Sequence, residues 1–510
     1  MDSALIKVFT DGLANTFQPL TFLLLLLGVL GGMVFGSIPG LTATMGVALA
    51  IPFTFGMSAI NGLTLLTGIY VGGVSGGLIS ATLLNMPGTP SSVTTCFDAY
   101  PMSCKGQSGQ ALGLGIISSF VGGISAVFVL ITLAPLIARQ ALKFGPFEYF
   151  SLGILAFVAV SSMLGGNIWK NLISLTIGII LGTVGIDSIN GLPRLTFGFY
   201  QLDGGISLLP LLVGLFCVSQ IIEDIEAKTH VIVPAEARNI SFRQLFPPLR
   251  IFIDNARTYI RSFIIGLGIG IFPGMGGGTS NIISYGLAKS SSRHPEEFGK
   301  GTPEGVIASE TSNNASIGGA MIPLMALGIP GDAVTAILIG GFMIHGINPG
   351  PLLFRHNPDL VYSIFSAQFW GNILMFVAGL LLIKFFIFTL SFPKKYLLPV
   401  VTVFCVIGSF ALSNRLFDVW ILVFSGIFGY LWRKIDFPLV PIIIAFVLEP
   451  IVEQNLRQGL TASKGSFLPI VTRPISCGLL IAAGFLFLSS RYLKRSLKYK
   501  AVEMAPLNSG

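Results

Sequence analysis

The chain has 510 residues, 53% of them apolar and only 10% charged, with a mean hydropathy of +0.82. Soluble domains carry about 25% charged residues, so the composition excludes an ordinary soluble protein and points to an integral membrane one. The net charge of +8 is scattered over helix ends as membrane topology requires, which speaks against nucleic acid as a partner.

In chain order, windows close to the roughly 20 apolar residues that cross a bilayer fall at 20–38, 62–84, 110–138, 148–165, 170–186, 205–222, 304–328, 360–383, 397–412, 416–432 and 474–490. They predict an all-α polytopic membrane protein of about twelve spanning or half-spanning helices. Strands with alternating aromatics are absent, which argues against a barrel. The run LTFLLLLLGVLGGMVFG lacks a basic leader, since Lys7 lies between Asp2 and Asp11. It reads as a retained first helix and not as a signal peptide. Five cysteines form no metal-like spacing and read as small buried residues.

Two ladders of glycine suggest an internal duplication. Gly28, Gly32, Gly36 and Gly40 recur as Gly266, Gly270 and Gly274, with Gly32, Gly36 and Gly40 matched at an offset of 234, and Pro39-Gly40 aligns with Pro273-Gly274. A second Pro-Gly pair, Pro87-Gly88, aligns with Pro330-Gly331 at an offset of 243. The nine extra residues fit the polar insertion SSSRHPEEFGKG at 290–301. Each half therefore predicts a glycine-faced helix ending in Pro-Gly and a short apolar hairpin arm (41–56, 275–289). A long helix follows (62–84, 304–328), broken at the second Pro-Gly. Such glycine faces let helix backbones approach closely in lipid. The predicted organisation is a first transmembrane repeat at 1–222, a cytoplasmic linker at 223–256 and a second repeat at 257–465. A terminal transmembrane helix at 466–490 and a basic cytoplasmic tail at 491–510 complete it. The repeats are expected to be inverted; a parallel arrangement stays open, because broken helices make the span count per half ambiguous.

Paired breaks in two repeats point to a binding site, because unpaired backbone is tolerated at membrane depth only where it is buried in protein or lines a watery cavity. The N–H groups at the start of each half-helix favour an anion. The candidate residues are Thr42 and Thr44 after the first Pro-Gly; Asn85, Gly88, Thr89 and Ser91 at the second; and Gly274, Gly276, Gly277, Thr279, Ser280 and Asn281 at the third. Glu310, Asn313, Asn314, Ser316, Gly331 and Asp332 complete the set, with Glu310 expected to face the last break. Small hydroxyls and amides bind carboxylate oxygens or a small cation, so Asn85, Asn313 and Asn314 are candidates for a transient Na+ site. No resident metal or cofactor is expected. Helix capping is the competing reading for any one Ser, Thr or Asn. GVSGG at 73–77 fits a nucleophile-elbow pattern, but no acid and His pair with it, so no catalysis is expected. The rival class is an ion channel or pore subunit with two re-entrant loops.

The stretches GSIPGLTATMGVALAIPFTF (36–55), LLNMPGTPSSVTTCFDAYPM (83–102), FPGMGGGTSNIISYGLAKSSSRHPEEFGKGTPEGVIASETSNNAS (272–316) and GIPGDAVTAILIGGFMIHGINPGP (328–351) carry a resemblance. The chain resembles the large membrane subunit of the bacterial tripartite tricarboxylate transporters. One departure is Ala99 in DAYPM, where the family tends to have Gly; it weakens any carry-over to Asp98 and Tyr100. The resemblance implies a permease of the bacterial cytoplasmic (inner) membrane that imports citrate-like carboxylates on a Na+ or H+ gradient. It implies two partners, a small four-helix membrane subunit and a periplasmic solute-binding protein, with a homodimer as a further option. It carries site roles to Asn85 and Gly88–Ser91, to Gly274–Asn281 and to Asn313–Ser316. Alternating access is expected, by a mobile unit made of both hairpins and both broken helices.

Overall fold

Glycine decides how the first helices pack. A computed structural model describes residues 12, 14–163, 167–187, 189–227 and 240–503. Residues 228–239 of the expected linker and 504–510 of the expected basic tail lie outside the described residues. Helix α1 (Pro19–Ser37) and helix α3 (Ala59–Leu84) flank the hairpin arm α2 (Ala43–Thr54). A Cβ on Gly32 would stand 2.4 Å from the carbonyl oxygen of Ile69, and one on Gly36 would stand 2.0 Å from that of Gly73. Backbone therefore meets backbone, and no larger residue fits.

The second half repeats this contact. Helix α9 (Ala256–Ile271), the arm α10 (Gly276–Ser291) and helix α11 (Pro303–Leu327) follow the polar linker. A Cβ on Gly266 would lie 2.3 Å from the Ser312 carbonyl oxygen, and one on Gly270 would lie 2.5 Å from that of Ser316. The ladder glycines match at 234 and their partners, Ile69 to Ser312 and Gly73 to Ser316, at 243. Both offsets are those of the Pro-Gly pairs. Gly40 and Gly274 end the ladders with φ of +95° and +79°, a left-handed conformation that L side chains resist.

The long helices also stop alike. Asn85 and Gly328, again 243 apart, are the C-terminal caps of α3 and α11, both left-handed with φ of 54° and 73°. After the first break come a single turn (Pro90–Ser92) and helix α4 (Thr95–Cys104); after the second comes helix α12 (Ala333–Ile344). The other helices of more than seven residues are α5 (Ser108–Ala141), α6 (Pro146–Met163), α7 (Ile168–Gly182), α8 (Leu208–Ala227), α13 (Pro358–Leu381), α14 (Lys394–Ser413), α15 (Leu416–Lys434), α16 (Val440–Ala462) and α17 (Pro474–Glu503). Helix α8 carries one π-type turn at Gly214–Val218.

Among the described residues seven helices are long and apolar enough to cross a membrane: α1, α3, α5, α8, α13, α14 and α15. The shortfall from about twelve has physical causes. Helices α6 and α7, expected at 148–165 and 170–186, have 18 and 15 residues, roughly 27 and 23 Å at 1.5 Å per residue, short of a hydrocarbon core of about 30 Å. Helix α11 has 25 residues, but its centre reads SETSNNAS. Helix α16 falls in none of the apolar windows because Glu449, Glu453 and Arg457 interrupt it.

Two compact units emerge: Met1–Leu142 with Ile206–Asp436, and Lys143–Gly205 with Phe437–Gly510. Both draw on both sequence halves. The first holds the two glycine ladders and both breaks. The second packs α6, α7, α16 and α17 together with a two-residue hairpin pairing Gly185–Ile186 with Pro193–Arg194. In its loop the Asp187 carboxyl is held low, at about 2, first by the backbone N–H of Ile189 and then by the Arg457 guanidinium at 2.7 Å.

The ladder contacts make a direct test. Gly32→Leu and Gly266→Leu force backbones apart, whereas Gly31 and Gly268 on the same helices have nothing within 4 Å of an added Cβ. Overpacking costs about 1–3 kcal/mol or more. Thermal denaturation of the detergent-purified chain is expected to show a large loss for the first pair and none for Gly31→Leu and Gly268→Leu.

Candidate functional site

Both breaks are closed by the same local device, with different chemistry. The Thr89 N–H donates to Ser92 Oγ at 3.2 Å, and the Asp332 N–H donates to Thr335 Oγ1 at 2.8 Å. These pairs are again 243 apart. In the second, Asp332 Oδ1 also accepts from the Thr335 N–H at 2.7 Å. The first turn of α12 thus already holds a carboxylate, and the helix end expected to present free N–H groups to an anion is capped from within the chain. Thr42 likewise caps α2, accepting from the Met45 N–H at 3.2 Å. Thr44 and Thr279 are half-buried. Asn85 is exposed, and its left-handed backbone ends α3. It is not among the residues gathered at the crossing.

Side chains after each break reach into the opposite half. The Tyr70 hydroxyl of α3 donates to Asp332 Oδ2 at 2.6 Å, and a Cβ on Gly276 would meet the Asp332 Cβ at 2.8 Å. From the first break, Thr94 donates its N–H to Asn281 Oδ1 at 3.1 Å and pairs its hydroxyl with Ser309 at 2.9 Å. Ser280 donates to the Gly277 carbonyl at 3.0 Å, and Asn314 accepts from Ser75 at 2.6 Å while donating to the Glu310 carbonyl at 3.2 Å. These groups knit the halves together.

Glu310 does not face the last break. It lies eighteen residues before Gly328, roughly 27 Å along a helix, and points at the helix that follows the first break. Its Oε1 accepts from Thr95 at 2.5 Å and its Oε2 from Ser119 of α5 at 2.8 Å. It is fully buried, and no cation pairs with it among the described residues.

One turn along α11 sits Asn313, also fully buried, with neither carboxamide atom in a hydrogen bond of good geometry. A buried amide without partners costs about 1–3 kcal/mol. Its surroundings are crowded on one side. A Cβ on Gly277 would lie 2.6 Å from Asn313 Oδ1, 2.8 Å from Ser91 Cβ and 3.2 Å from Ser316 Oγ. Glycine at 277 lets these groups approach closely, and Thr89 joins them through its hydroxyl, 2.9 Å from that of Ser91. Gly88 and Gly331 press their own breaks against the ladders: an added Cβ would stand 2.0 Å and 2.6 Å from the carbonyl oxygens of Gly36 and Gly270. Gly274 provides the left-handed turn that starts this corner.

Sequence reasoning passed over several participants. Tyr70 lies 243 residues before Asn313, so the repeat offset itself could have found it; Thr335 is likewise the counterpart of Ser92. Ser119 carries no comparable signal. Asp98 is buried at the start of α4, where Oδ1 accepts from the backbone N–H groups of Gly299, Gly301 and Thr302 at 2.9, 2.8 and 2.9 Å. Its Oδ2 accepts from Tyr285 at 2.8 Å. This carboxylate pins the helix after the first break to the polar insertion of the second half. Ala99 in DAYPM is helical and fully buried, so the departure from glycine fits a regular helix.

The sequence profile of the tripartite tricarboxylate transporter TctA family matches residues 22–444. An uncharacterized 52.8 kDa protein in the TAR-I ttuC' 3'region of Agrobacterium vitis is 36% identical over 482 residues, covering 93% of this chain and 94% of the relative. An uncharacterized protein in the TAR-II ttuC' 3'region of the same organism is 36% identical over 212 residues, covering 42% of this chain and 88% of the relative. No solved structure matches the chain.

The Asp98 staple has a clear signature. Asp98→Ala strands three backbone donors and the Tyr285 hydroxyl, and hydrogen bonds to a charged group are worth about 1.5–3 kcal/mol each. A melting experiment is expected to show Asp98→Ala destabilised several-fold more than Tyr285→Phe, which removes one bond.

Proposed function

Because the chain belongs to the tripartite tricarboxylate transporter TctA family, we propose that it is the permease subunit of a secondary uptake system for tricarboxylates or related citrate-like carboxylates. A periplasmic solute-binding protein hands the substrate over and a small four-helix membrane subunit completes the complex in the bacterial cytoplasmic membrane. The carboxy-terminus lies on the cytoplasmic side. About twelve spanning or half-spanning helices form two inverted repeats, and the glycine contacts recurring at 234 and 243 support the duplication. No catalysis or cofactor is invoked.

The observation that carries the reading is the buried Asn313 carboxamide, neither atom of which is in a hydrogen bond of good geometry, at the corner formed by Gly277, Ser91, Ser316 and Thr89. Its Nδ2 and the neighbouring hydroxyls donate to a substrate carboxylate, and its Oδ1 is an acceptor for a small cation. Glu310, one turn away, held by the Thr95 and Ser119 hydroxyls and next to the Asn313 carboxamide, is the group that carries the coupling charge. An unpaired ionisable side chain at membrane depth is functional by default. Alternating access moves both arms and both breaks together, as the cross-half hydrogen bonds require.

Counterflow of labelled citrate provides the test, in vesicles from cells that express the chain with its small subunit and binding protein. Exchange is expected in the parent and in Thr42→Val. Asn313→Ala and Glu310→Gln are expected to lose at least about tenfold, equivalent to about 1.4 kcal/mol, with normal membrane insertion. Full exchange by Asn313→Ala, or a rapid unsaturable leak in the parent, contradicts the reading. Replacing Na+ at fixed pH then names the coupling ion.

A further inference from the structure

On the face of α9 opposite to its glycine ladder lies a groove of about 390 Å³, lined by Arg257, Ile260, Arg261, Ile264, Ile265 and Leu287. The first five fall at i, i+3, i+4, i+7 and i+8, one stripe of the helix, and Leu287 of α10 forms the facing wall. The stripe has a head and a tail. Both arginines lie in the first two turns, next to the polar linker, and the isoleucines run on toward the membrane interior. Ile260 and Ile264 are 62% and 60% exposed and Leu287 is 46% exposed. Apolar surface left uncovered in this way on a membrane protein is what lipid chains cover.

The head end is cationic and underused. Arg257 is exposed and has no acidic partner among the described residues. Arg261 holds Ser291 and, at 3.4 Å, Thr258, while Glu304 stands 3.8 Å away and its own Nε finds no partner. Two guanidinium groups one turn apart above an apolar slot match a phosphate joined to an acyl chain. Arginine binds phosphate with paired N–H donors, and each basic residue near an anionic membrane surface contributes about 1 kcal/mol. We propose that this groove is a specific site for an anionic phospholipid, its phosphate on Arg257 and Arg261 and one acyl chain along Ile260, Ile264, Ile265 and Leu287. The site is separate from the Asn313 corner: Gly266 and Gly270 face the Ser312–Ser316 stretch of α11, and none of the groove residues is among the groups gathered at that corner.

Native mass spectrometry of the full-length chain, delipidated in detergent and titrated with phosphatidylglycerol or phosphatidylcholine of the same chain lengths, tests the proposal. One phosphatidylglycerol is expected to remain bound under conditions that strip phosphatidylcholine. Arg257→Ala is expected to weaken its binding about fivefold, the equivalent of about 1 kcal/mol, and Arg257→Lys less. Ile264→Trp, which fills the slot without touching charge, is expected to displace the lipid while thermal stability in detergent is retained. Equal retention of both lipids, unchanged binding in Arg257→Ala and Ile264→Trp, or displacement of the lipid by the small membrane subunit overturns it. Failure here leaves citrate counterflow untouched, so the two readings are separable.

Discussion

A polypeptide that breaks a helix inside a bilayer must find partners for the freed backbone groups without help from water. The first compact unit is organised around that constraint. Each break rests its Pro-Gly on the glycine ladder of its own half, with Gly88 against Gly36 and Gly331 against Gly270. Each then caps itself with a side chain, Ser92 in one case and the Asp332–Thr335 pair in the other. Only after the backbone is satisfied do side chains reach across to the opposite half. The ladders must be glycine because the backbones touch, and Gly277 must be small because the side chains of Asn313, Ser91 and Ser316 close on it.

The two halves share geometry and differ in chemistry, and the difference is where transport chemistry can live. Tyr70 and Asn313 occupy corresponding places. Tyr70 meets a carboxylate, Asp332, and is satisfied. Asn313 faces the region of Thr89 and Ser91 and is not. One crossing is therefore closed by a carboxylate, and the other is a buried polar corner with Glu310 beside it. On the reading proposed above, a site built from unequal halves binds one asymmetric ligand set, which is the property a carrier needs.

Much of this was legible in the residues. The 234 and 243 offsets, the helix stops at Asn85 and Gly328 and the arms after Pro39-Gly40 and Pro273-Gly274 follow from local rules about glycine and proline. The partnerships across the chain were not. Hydrophobic windows cannot tell that Glu310 meets Thr95 and Ser119, because that contact depends on how α4 and α5 pack against α11. The same windows missed α16, whose Glu453 and Arg457 pair with Arg194 and Asp187 of its own compact unit. Capping was the competing reading for single Thr and Asn residues, and it describes Thr42 and Asn85 while leaving Asn313 unexplained.

The central claim is that residues after the first break meet the second half at a polar corner used by the substrate. Gly277→Ala, which sets a methyl group among Asn313, Ser91 and Ser316, reports on it directly through labelled-citrate counterflow with the small subunit and the binding protein present. Exchange is expected to fall at least about tenfold, equivalent to about 1.4 kcal/mol, with normal membrane insertion. Exchange at the parent rate contradicts the account.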